Sequence, residues 1–126
     1  ADSILLIMSI LEDNEIKEYI KIANDIGLDC IIEAHSRDEI NRAIKIDYPI
    51  IGINNRNLDN LSVNINNTLD MINQIPKNFT VIGESGIKSN ENIKKYNDHG
   101  VYNFLIGETI LRSSNYDSMI KKLLKK

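Results

Sequence analysis

The sequence predicts an α/β protein in which five strand–helix units build a parallel sheet. Three observations support this prediction. Short apolar runs alternate with amphipathic segments, the repeat is about 25 residues long, and polar residues directly follow the apolar runs. Strands that alternate with helices form parallel sheets with right-handed crossovers. Because no linker or low-complexity tract interrupts the pattern, residues 1–126 are expected to form a single domain.

The first unit combines a strand at residues 4–8 with a helix at residues 13–26. Within that helix Ile16, Tyr19, Ile20 and Ala23 recur at 3- and 4-residue spacing, which is typical of one apolar face. Gly27 is placed to end the helix.

The second unit begins with a strand at residues 30–34. Ser36 and Glu39 have the spacing of a capping box, and the helix behind them carries Ile40, Ala43 and Ile44 on its apolar face.

The remaining units follow the same order. Asn64 or Asn66 can cap a third helix that Pro76 stops, and Ser89 can cap a fourth that ends at Gly100. The last helix presents Met119, Ile120, Leu123 and Leu124. The corresponding strands are predicted at residues 50–53, 79–82 and 102–106.

Two architectures fit five such units, and periodicity alone does not separate them. One is a doubly wound sheet of the flavodoxin kind, which gathers its ligand groups at a switch point near the first strand. The other is part of a (β/α)8 barrel, whose ligand groups follow several strands. Residues 8–11 after the first strand hold no glycine-rich loop and no acidic pair, whereas strands two to five all end in polar groups. This placement favours a partial barrel.

Composition limits the kinds of partner. Hydrophobic residues make up 42% of the chain, charged residues 26%, and the net charge is −3. This balance argues against nucleic acid or an anionic membrane as the main partner. Residues 1–126 contain no apolar stretch long enough to span a membrane, and their N-terminus does not have the pattern of a signal peptide. A cytoplasmic location is therefore expected. The lone Cys30 lies in an apolar run and is interpreted as a buried thiol.

Four segments at strand ends carry the chemistry. They read IEAH at residues 32–35, IGINNRNL at 51–58, ESGI at 84–87 and FLIGE at 104–108. Together with ADSILLI at residues 1–7, they resemble indole-3-glycerol phosphate synthases in order and in spacing. The GINNR motif is quite specific, whereas ESGI and the Ile-Gly pair at residues 106–107 are weaker alone, because many phosphate-binding barrels share them.

The resemblance implies that the chain corresponds to strands four to eight of the family's (β/α)8 barrel. The implied reaction belongs to tryptophan biosynthesis: 1-(2-carboxyphenylamino)-1-deoxyribulose 5-phosphate closes a ring, loses carbon dioxide and then loses water. The family uses no metal or organic cofactor. Its catalytic lysines and first glutamate belong to strands that residues 1–126 do not include, so this piece alone is expected to be inactive.

The resemblance also implies roles for individual residues. Glu33 is the catalytic carboxylate, as a general base or as a stabiliser of positive charge, and Asn54 is its fixed hydrogen-bond partner. The alternatives are that Glu33 pairs with a loop lysine and that Asn54 satisfies loop backbone groups. His35 is interpreted as a loop or capping residue, and Asn55 as a turn former, like Asn57.

Substrate contacts follow from the same resemblance. Arg56 would bind the carboxylate of the anthranilate portion, unless it only pairs with Asp59. Glu84 belongs to the active site, or caps a neighbouring loop. Leu5 and Leu105 would pack on the aromatic ring, with core filling as the alternative.

The expected phosphate-binding residues lie in two loops and are Ser85, Gly86, Gly107 and Glu108. Backbone N–H groups of such loops cradle phosphate, and glycine permits close approach. Only the backbone of Glu108 would help, with its carboxylate turned away. Tight turns are the alternative role of both glycines.

The expected partner is therefore a sugar phosphate, and unpaired edge strands would promote self-association. Three other functions stay open. They are a phosphate-binding half-barrel without catalysis, another phosphate-binding barrel enzyme, and a small protein of response-regulator type.

Overall fold

The computed structural model describes residues 1–56 and 62–125, with the backbone alone for Asn67. It contains one sheet of five parallel strands that hydrogen-bond in the order β1-β2-β3-β4-β5. The strands are β1 Ser3–Ile7, β2 Asp29–Ala34, β3 Ile50–Asn54, β4 Thr80–Glu84 and β5 Asn103–Leu105. All five predicted strands are confirmed, with ends shifted by one or two residues.

The strand order separates the two architectures that the sequence left open. A doubly wound sheet of the flavodoxin kind places its first strand inside the sheet. Here β1 lies at one edge, and every strand pairs with the strand that follows it in the chain. Consecutive parallel pairing is the arrangement of a (β/α)8 barrel. Within the described residues β1 and β5 do not pair with each other, so the sheet is an open, partial barrel.

The helices follow the strands as expected, with one addition. They are α1 Asp13–Asp25, α2 Arg37–Ile46, α3 Ile65–Ile72, α4 Asn90–Asp98, α5 Glu108–Leu111 and α6 Tyr116–Leu123. The short α5 follows β5 directly and was not predicted. Its four residues are too few to show an apolar periodicity, so sequence reasoning had no signal for it.

Serine and asparagine side chains cap the start of four helices. Ser36, Asn64, Ser89 and Asn115 each accept a hydrogen bond from a backbone N–H of the first turn. This selects Asn64 over Asn66 as the cap of α3. The capping box predicted for Ser36 is incomplete, since the Glu39 carboxylate accepts from the N–H of His35 at 2.8 Å.

The helix-facing side of the sheet holds the core. Ile32 and Ile51 are cross-strand partners on this side, and both are fully buried, as is Ile53 two residues further along β3. Burying each such side chain contributes about 1.5–3 kcal/mol. Cys30 belongs to the same core, and burial raises the pKa of its thiol, which agrees with an inert buried cysteine.

The opposite side corresponds to the barrel interior and is less covered. Leu5 is 40% exposed there and Leu105 is 51% exposed. Among the described residues, the helices lack the length and apolarity needed to cross a membrane.

Candidate active site

The strand register brings the predicted polar residues to one edge of the sheet. Glu33 of β2 is the partner of Gly52 in β3, and Asn54 at the end of β3 is the partner of Glu84 in β4. Cross-strand partners share a face, and residues two apart along a strand do so as well. Glu33, Asn54 and Glu84 therefore converge on the interior side at the carboxyl ends of their strands.

Asn54 holds Glu33 in a defined position. Its Nδ2 donates to Glu33 Oε2 at 3.2 Å, while its Oδ1 accepts from the backbone N–H of Arg56 at 2.9 Å. Because the second bond fixes the amide, the first one directs its donor at the carboxylate. The Glu33–Asn54 contact expected from the family resemblance is present.

Glu84 lies beside Glu33 in a space that Gly52 leaves open. Its side chain is 2% exposed, and a methyl group added at Gly52 would overlap Glu84 Oε1. Burial raises the pKa of Glu84 to about 8, and a hydrogen bond with Glu33 and the charge of Glu33 add to the rise. With its pKa raised in this way, Glu84 is mainly uncharged at neutral pH, which avoids two buried negative charges side by side.

His35 occupies the far side of Glu33. Its Nε2 lies 3.3 Å from Glu33 Oε1, and its Nδ1 lies 3.4 Å from Glu39 Oε2. Neither ring nitrogen makes an aligned hydrogen bond, so His35 touches both carboxylates without a fixed donor–acceptor geometry. The loop histidine predicted from the sequence thus contacts the catalytic candidate directly.

Asn55 is buried and connects several elements, so the prediction of a simple turn former was wrong. The residue is 1% exposed, and its Nδ2 donates to the carbonyls of Glu84 and Ser85 and to Tyr96 Oη, at 2.6 to 2.9 Å. Its Oδ1 accepts from Thr68 Oγ1 at 2.6 Å. A single amide therefore ties the end of β3 to the end of β4 and to α3 and α4. The predicted turn former Asn57 and the possible Arg56–Asp59 pair lie outside the described residues.

Ser85 and Gly86 form a tight turn after β4. Both have positive φ, 63° for Ser85 and 75° for Gly86. A side chain at Gly86 would also overlap Cγ1 of Val63, which precedes α3. Glycine is thus required at residue 86 both by conformation and by space.

The opposite wall of the site is built from charged side chains. Arg56 Nη2 lies 2.8 Å from Glu108 Oε2, and Arg112 Nε lies 3.0 Å from Glu108 Oε1. A hydrogen bond from Arg56 and the charge of Arg112 lower the pKa of Glu108. Thr109 Oγ1 donates to the carbonyl of Ile87 at 2.6 Å, which joins the loops after β4 and β5.

A cavity of about 1070 Å³ lies between these groups. Of the ten predicted site residues, nine line it: Glu33, Asn54, Arg56, Glu84, Ser85, Gly86, Leu105, Gly107 and Glu108. Leu5 does not line the cavity. It is the cross-strand partner of Ile31, which lies two residues before Glu33 in β2 and so is further from the carboxyl ends of the strands. Sequence reasoning missed Lys88 and Arg112, which also line the cavity. Because α5 was not predicted, sequence reasoning had no basis for treating Arg112 as the helical neighbour of Glu108 four residues earlier.

A family model described as indole-3-glycerol phosphate synthase matches residues 1–123. The chain belongs to this family. Curated relatives with the same description include proteins from Clostridium kluyveri, 45% identical over 124 residues, and Legionella pneumophila, 37% identical over 124 residues. Each alignment covers 98% of this chain but only 47% and 48% of the relative. The chain therefore spans about half the length of the curated relatives it matches.

Solved structures with the same fold have different descriptions. A 3-hexulose-6-phosphate synthase from Salmonella typhimurium superimposes with a TM-score of 0.79 at 14% identity, covering 98% of this chain and 60% of that one. A thiamine phosphate pyrophosphorylase from Pyrococcus furiosus gives a TM-score of 0.74 at 15% identity, covering 98% and 57%. At such low identity these likenesses show the fold alone.

Proposed function

We propose that residues 1–126 supply one half of an indole-3-glycerol phosphate synthase active site. The implied reaction converts 1-(2-carboxyphenylamino)-1-deoxyribulose 5-phosphate to indole-3-glycerol phosphate by ring closure, loss of carbon dioxide and loss of water. The observation that carries this proposal is the convergence of Glu33, Asn54 and Glu84 on a cavity whose other walls hold the two glycine loops. The volume of this cavity suits a small-molecule substrate.

Glu33 is proposed as the catalytic carboxylate. Asn54 directs an amide N–H at one of its oxygens, and His35 lies against the other. A carboxylate held in this way can accept a proton or stabilise positive charge on the substrate without first reorganising. Glu84, protonated at neutral pH, is proposed to donate a hydrogen bond to an oxygen of the substrate.

Arg56 is proposed to bind the carboxylate of the anthranilate portion. Its guanidinium lines the cavity and pairs with Glu108, which shows that a carboxylate can reach it. A planar guanidinium suits a carboxylate because two parallel hydrogen bonds form at once. Leu105 would pack on the aromatic ring from the β5 side. Leu5 would do so only if the ring reaches past Glu33 to the level of Ile31, the cross-strand partner of Leu5.

The phosphate is proposed to bind at Ser85, Gly86, Gly107 and Glu108. Backbone N–H groups in these loops can surround an anion, and Lys88 and Arg112 add positive charge to the same cavity. The Glu108 carboxylate is held by Arg56 and Arg112, so only the backbone of Glu108 is proposed to take part.

The phosphate assignment is tested by adding inorganic phosphate to the isotope-labelled chain and following its amide signals by NMR. The amides of Ser85, Gly86 and Gly107 should move together. Gly107→Ala should weaken the binding several-fold without unfolding the protein, since a methyl group there meets no atom within 4 Å. Gly100→Ala, at a glycine remote from the cavity, is the control: it should cost some stability because Gly100 has positive φ, but it should leave phosphate binding unchanged. Unmoved loop amides would reject the assignment.

A second proposal concerns turnover. The family's catalytic lysines belong to the other half of the barrel, so residues 1–126 alone are proposed to bind substrate but not convert it. Mixing them with a polypeptide that carries the missing strands should restore indole-3-glycerol phosphate formation. Turnover by purified residues 1–126 at the usual level of the family would contradict this. Phosphate binding without restored turnover would instead favour a half-barrel that only binds.

Residues 1–126 are also proposed to self-associate, and their cytoplasmic location remains part of the proposal. In the described part of the chain β1 and β5 are sheet edges, and Leu5 and Leu105 are partly exposed on the interior face beside them. Such edges pair readily with another chain. Light scattering should give a mass above that of one chain, 14.4 kDa. Leu105→Lys should reduce the mass, and a monomer at high concentration would contradict the proposal.

A further inference from the structure

Gly52 lies in β3 directly beside the buried carboxyl pair. Its cross-strand partners are Glu33 on one side and Ile82 on the other. A Cβ atom placed on it would overlap Glu84 Oε1 and would lie 3.0 Å from Glu84 Cδ and 3.1 Å from Ile31 Cγ2. The Glu84 carboxyl therefore occupies the volume that every other residue type would fill with its own side chain.

Backbone conformation does not explain the glycine. Gly52 is not among the residues with positive φ in the described chain, and it continues a regular strand between buried Ile51 and Ile53. Glycine weakens a strand interior, so its presence there indicates that something must approach the backbone closely. Here the approaching group is Glu84.

We propose that Gly52 is a positioning residue, whose missing side chain allows the Glu84 carboxyl to lie buried beside Glu33. Gly52 touches no reacting atom itself and acts through Glu84. The consequence for catalysis, a neutral acid that donates a hydrogen bond to the substrate, rests on the proposed function. The positioning of the carboxyl does not.

A side chain added at residue 52 can be accommodated if the Glu84 side chain moves. The overlapping atom is the end of a flexible side chain, so Glu84 can swing away without moving the backbone. The interior side of the sheet is open in this direction, as the exposure of Leu105 in the same row shows. Glu84 would then reach water, and its carboxyl would ionise more easily.

Other charged groups surround this pair and set the conditions of the test. They include Glu33 near the end of β2 and His35 in the loop that follows, which lie 3.3 Å apart. Arg56 follows β3, and the cavity that Glu84 shares is also lined by Lys88, Glu108 and Arg112. A titration must therefore assign Glu84 individually, which the loss of its signal in Glu84→Gln provides.

The experiment is a carboxyl ¹³C NMR titration of the full 126-residue chain and of Gly52→Ala, with no phosphate ester present. In the unsubstituted chain the Glu84 signal should titrate near pH 8. In Gly52→Ala its midpoint should fall by about two pH units as the carboxyl becomes hydrated. Gly83→Ala is the matched control: it is the neighbour of Glu84 on β4, but its added methyl group faces Tyr96 on the other side of the sheet.

Each outcome decides the inference. It is overturned if Glu84 titrates normally in the unsubstituted chain, if Gly52→Ala leaves the midpoint unchanged, or if Gly83→Ala shifts it equally. Should Gly52→Ala fail to fold, Gly52→Ala/Glu84→Ala must fold, since the overlapping carboxyl is gone. An unfolded double variant would reject the role. Because the titration contains no substrate, a failure of the phosphate assignment would leave this result unaffected.

Discussion

The two walls of the cavity are built by different means. On the wall formed by β2, β3 and β4, the side chains of Glu33 and Glu84 are buried, and the half-buried Asn54 donates a hydrogen bond to Glu33. On the wall formed by the β5 loop, the groups are exposed, and Glu108 is held by two arginines. Burial gives the first wall a carboxyl group with a raised pKa, that of Glu84. Exposure leaves the ion pairs of the second wall screened by solvent, so each contributes little to stability.

The largest loss of stability is expected from a substitution at Asn55, which supports the buried wall. Asn55→Ala would leave Thr68, Tyr96 and two backbone carbonyls without their shared partner in the interior, so the free energy of unfolding should fall by about 4 kcal/mol. Urea denaturation followed by circular dichroism measures this. Asn24→Ala, on the exposed side of α1, should change stability by less than about 0.5 kcal/mol. Equal effects of the two variants would show that Asn55 is not a structural hub.

The next effect comes from the proton on Glu84. Its pKa is raised to about 8 in the folded protein from 4.5, so the folded state binds more protons between these values, and stability falls as pH rises through this window. Glu84→Gln removes this slope and should stabilise the protein by about 4 kcal/mol at pH 8.5 relative to its effect at pH 4.5. Denaturation at a series of pH values measures it. A parallel pH dependence in both proteins would exclude a buried proton on Glu84.

A smaller effect distinguishes the cost of steric overlap from the cost of a positive φ in the loop after β4. Gly86 and Gly100 both have positive φ, 75° and 80°, but a methyl group would overlap Val63 only at Gly86. Gly100→Ala should destabilise by about 1 kcal/mol and Gly86→Ala by about 2 kcal/mol or more. Chemical denaturation of both variants gives the difference. If the two losses are equal, the Val63 contact does not constrain the loop.

The smallest effect is expected on the exposed wall. Arg112→Ala removes one of the two arginines beside Glu108 and should let the pKa of Glu108 rise toward 4.5, with no measurable change in thermal unfolding. Carboxyl NMR of Glu108 follows the pKa. A clear drop in melting temperature would show that the arginines stabilise the fold itself.

Much of the fold could be predicted because its signals are local. Ser36, Asn64 and Ser89 cap helices through neighbours two or three residues away, and alternation of strands with helices depends only on local periodicity. Strand order was not local, and only the distribution of polar groups hinted at it. The structural basis is the pairing of each strand with its successor.

The residues that line the cavity were largely predictable from the sequence, but the burial and pKa shifts among them were not. Nine of the ten expected residues line the cavity because motif positions fix which strand ends carry them. The burial of Asn55 depends on Thr68 and Tyr96, which lie 13 and 41 residues away. From the sequence alone, two consecutive asparagines after a strand predict a turn. The raised pKa of Glu84 depends likewise on Glu33 across the sheet and on an empty space at Gly52.

Consecutive strand pairing has a consequence for how such a domain can be divided. A polypeptide cut between two units separates partners at a single seam and leaves every other hydrogen-bonded ladder within one piece. Splitting a gene at unit boundaries should therefore yield segments that keep their internal strand register. Such segments should reassociate by pairing of their exposed edge strands. Loop exchange between distant barrels could exploit the same modularity.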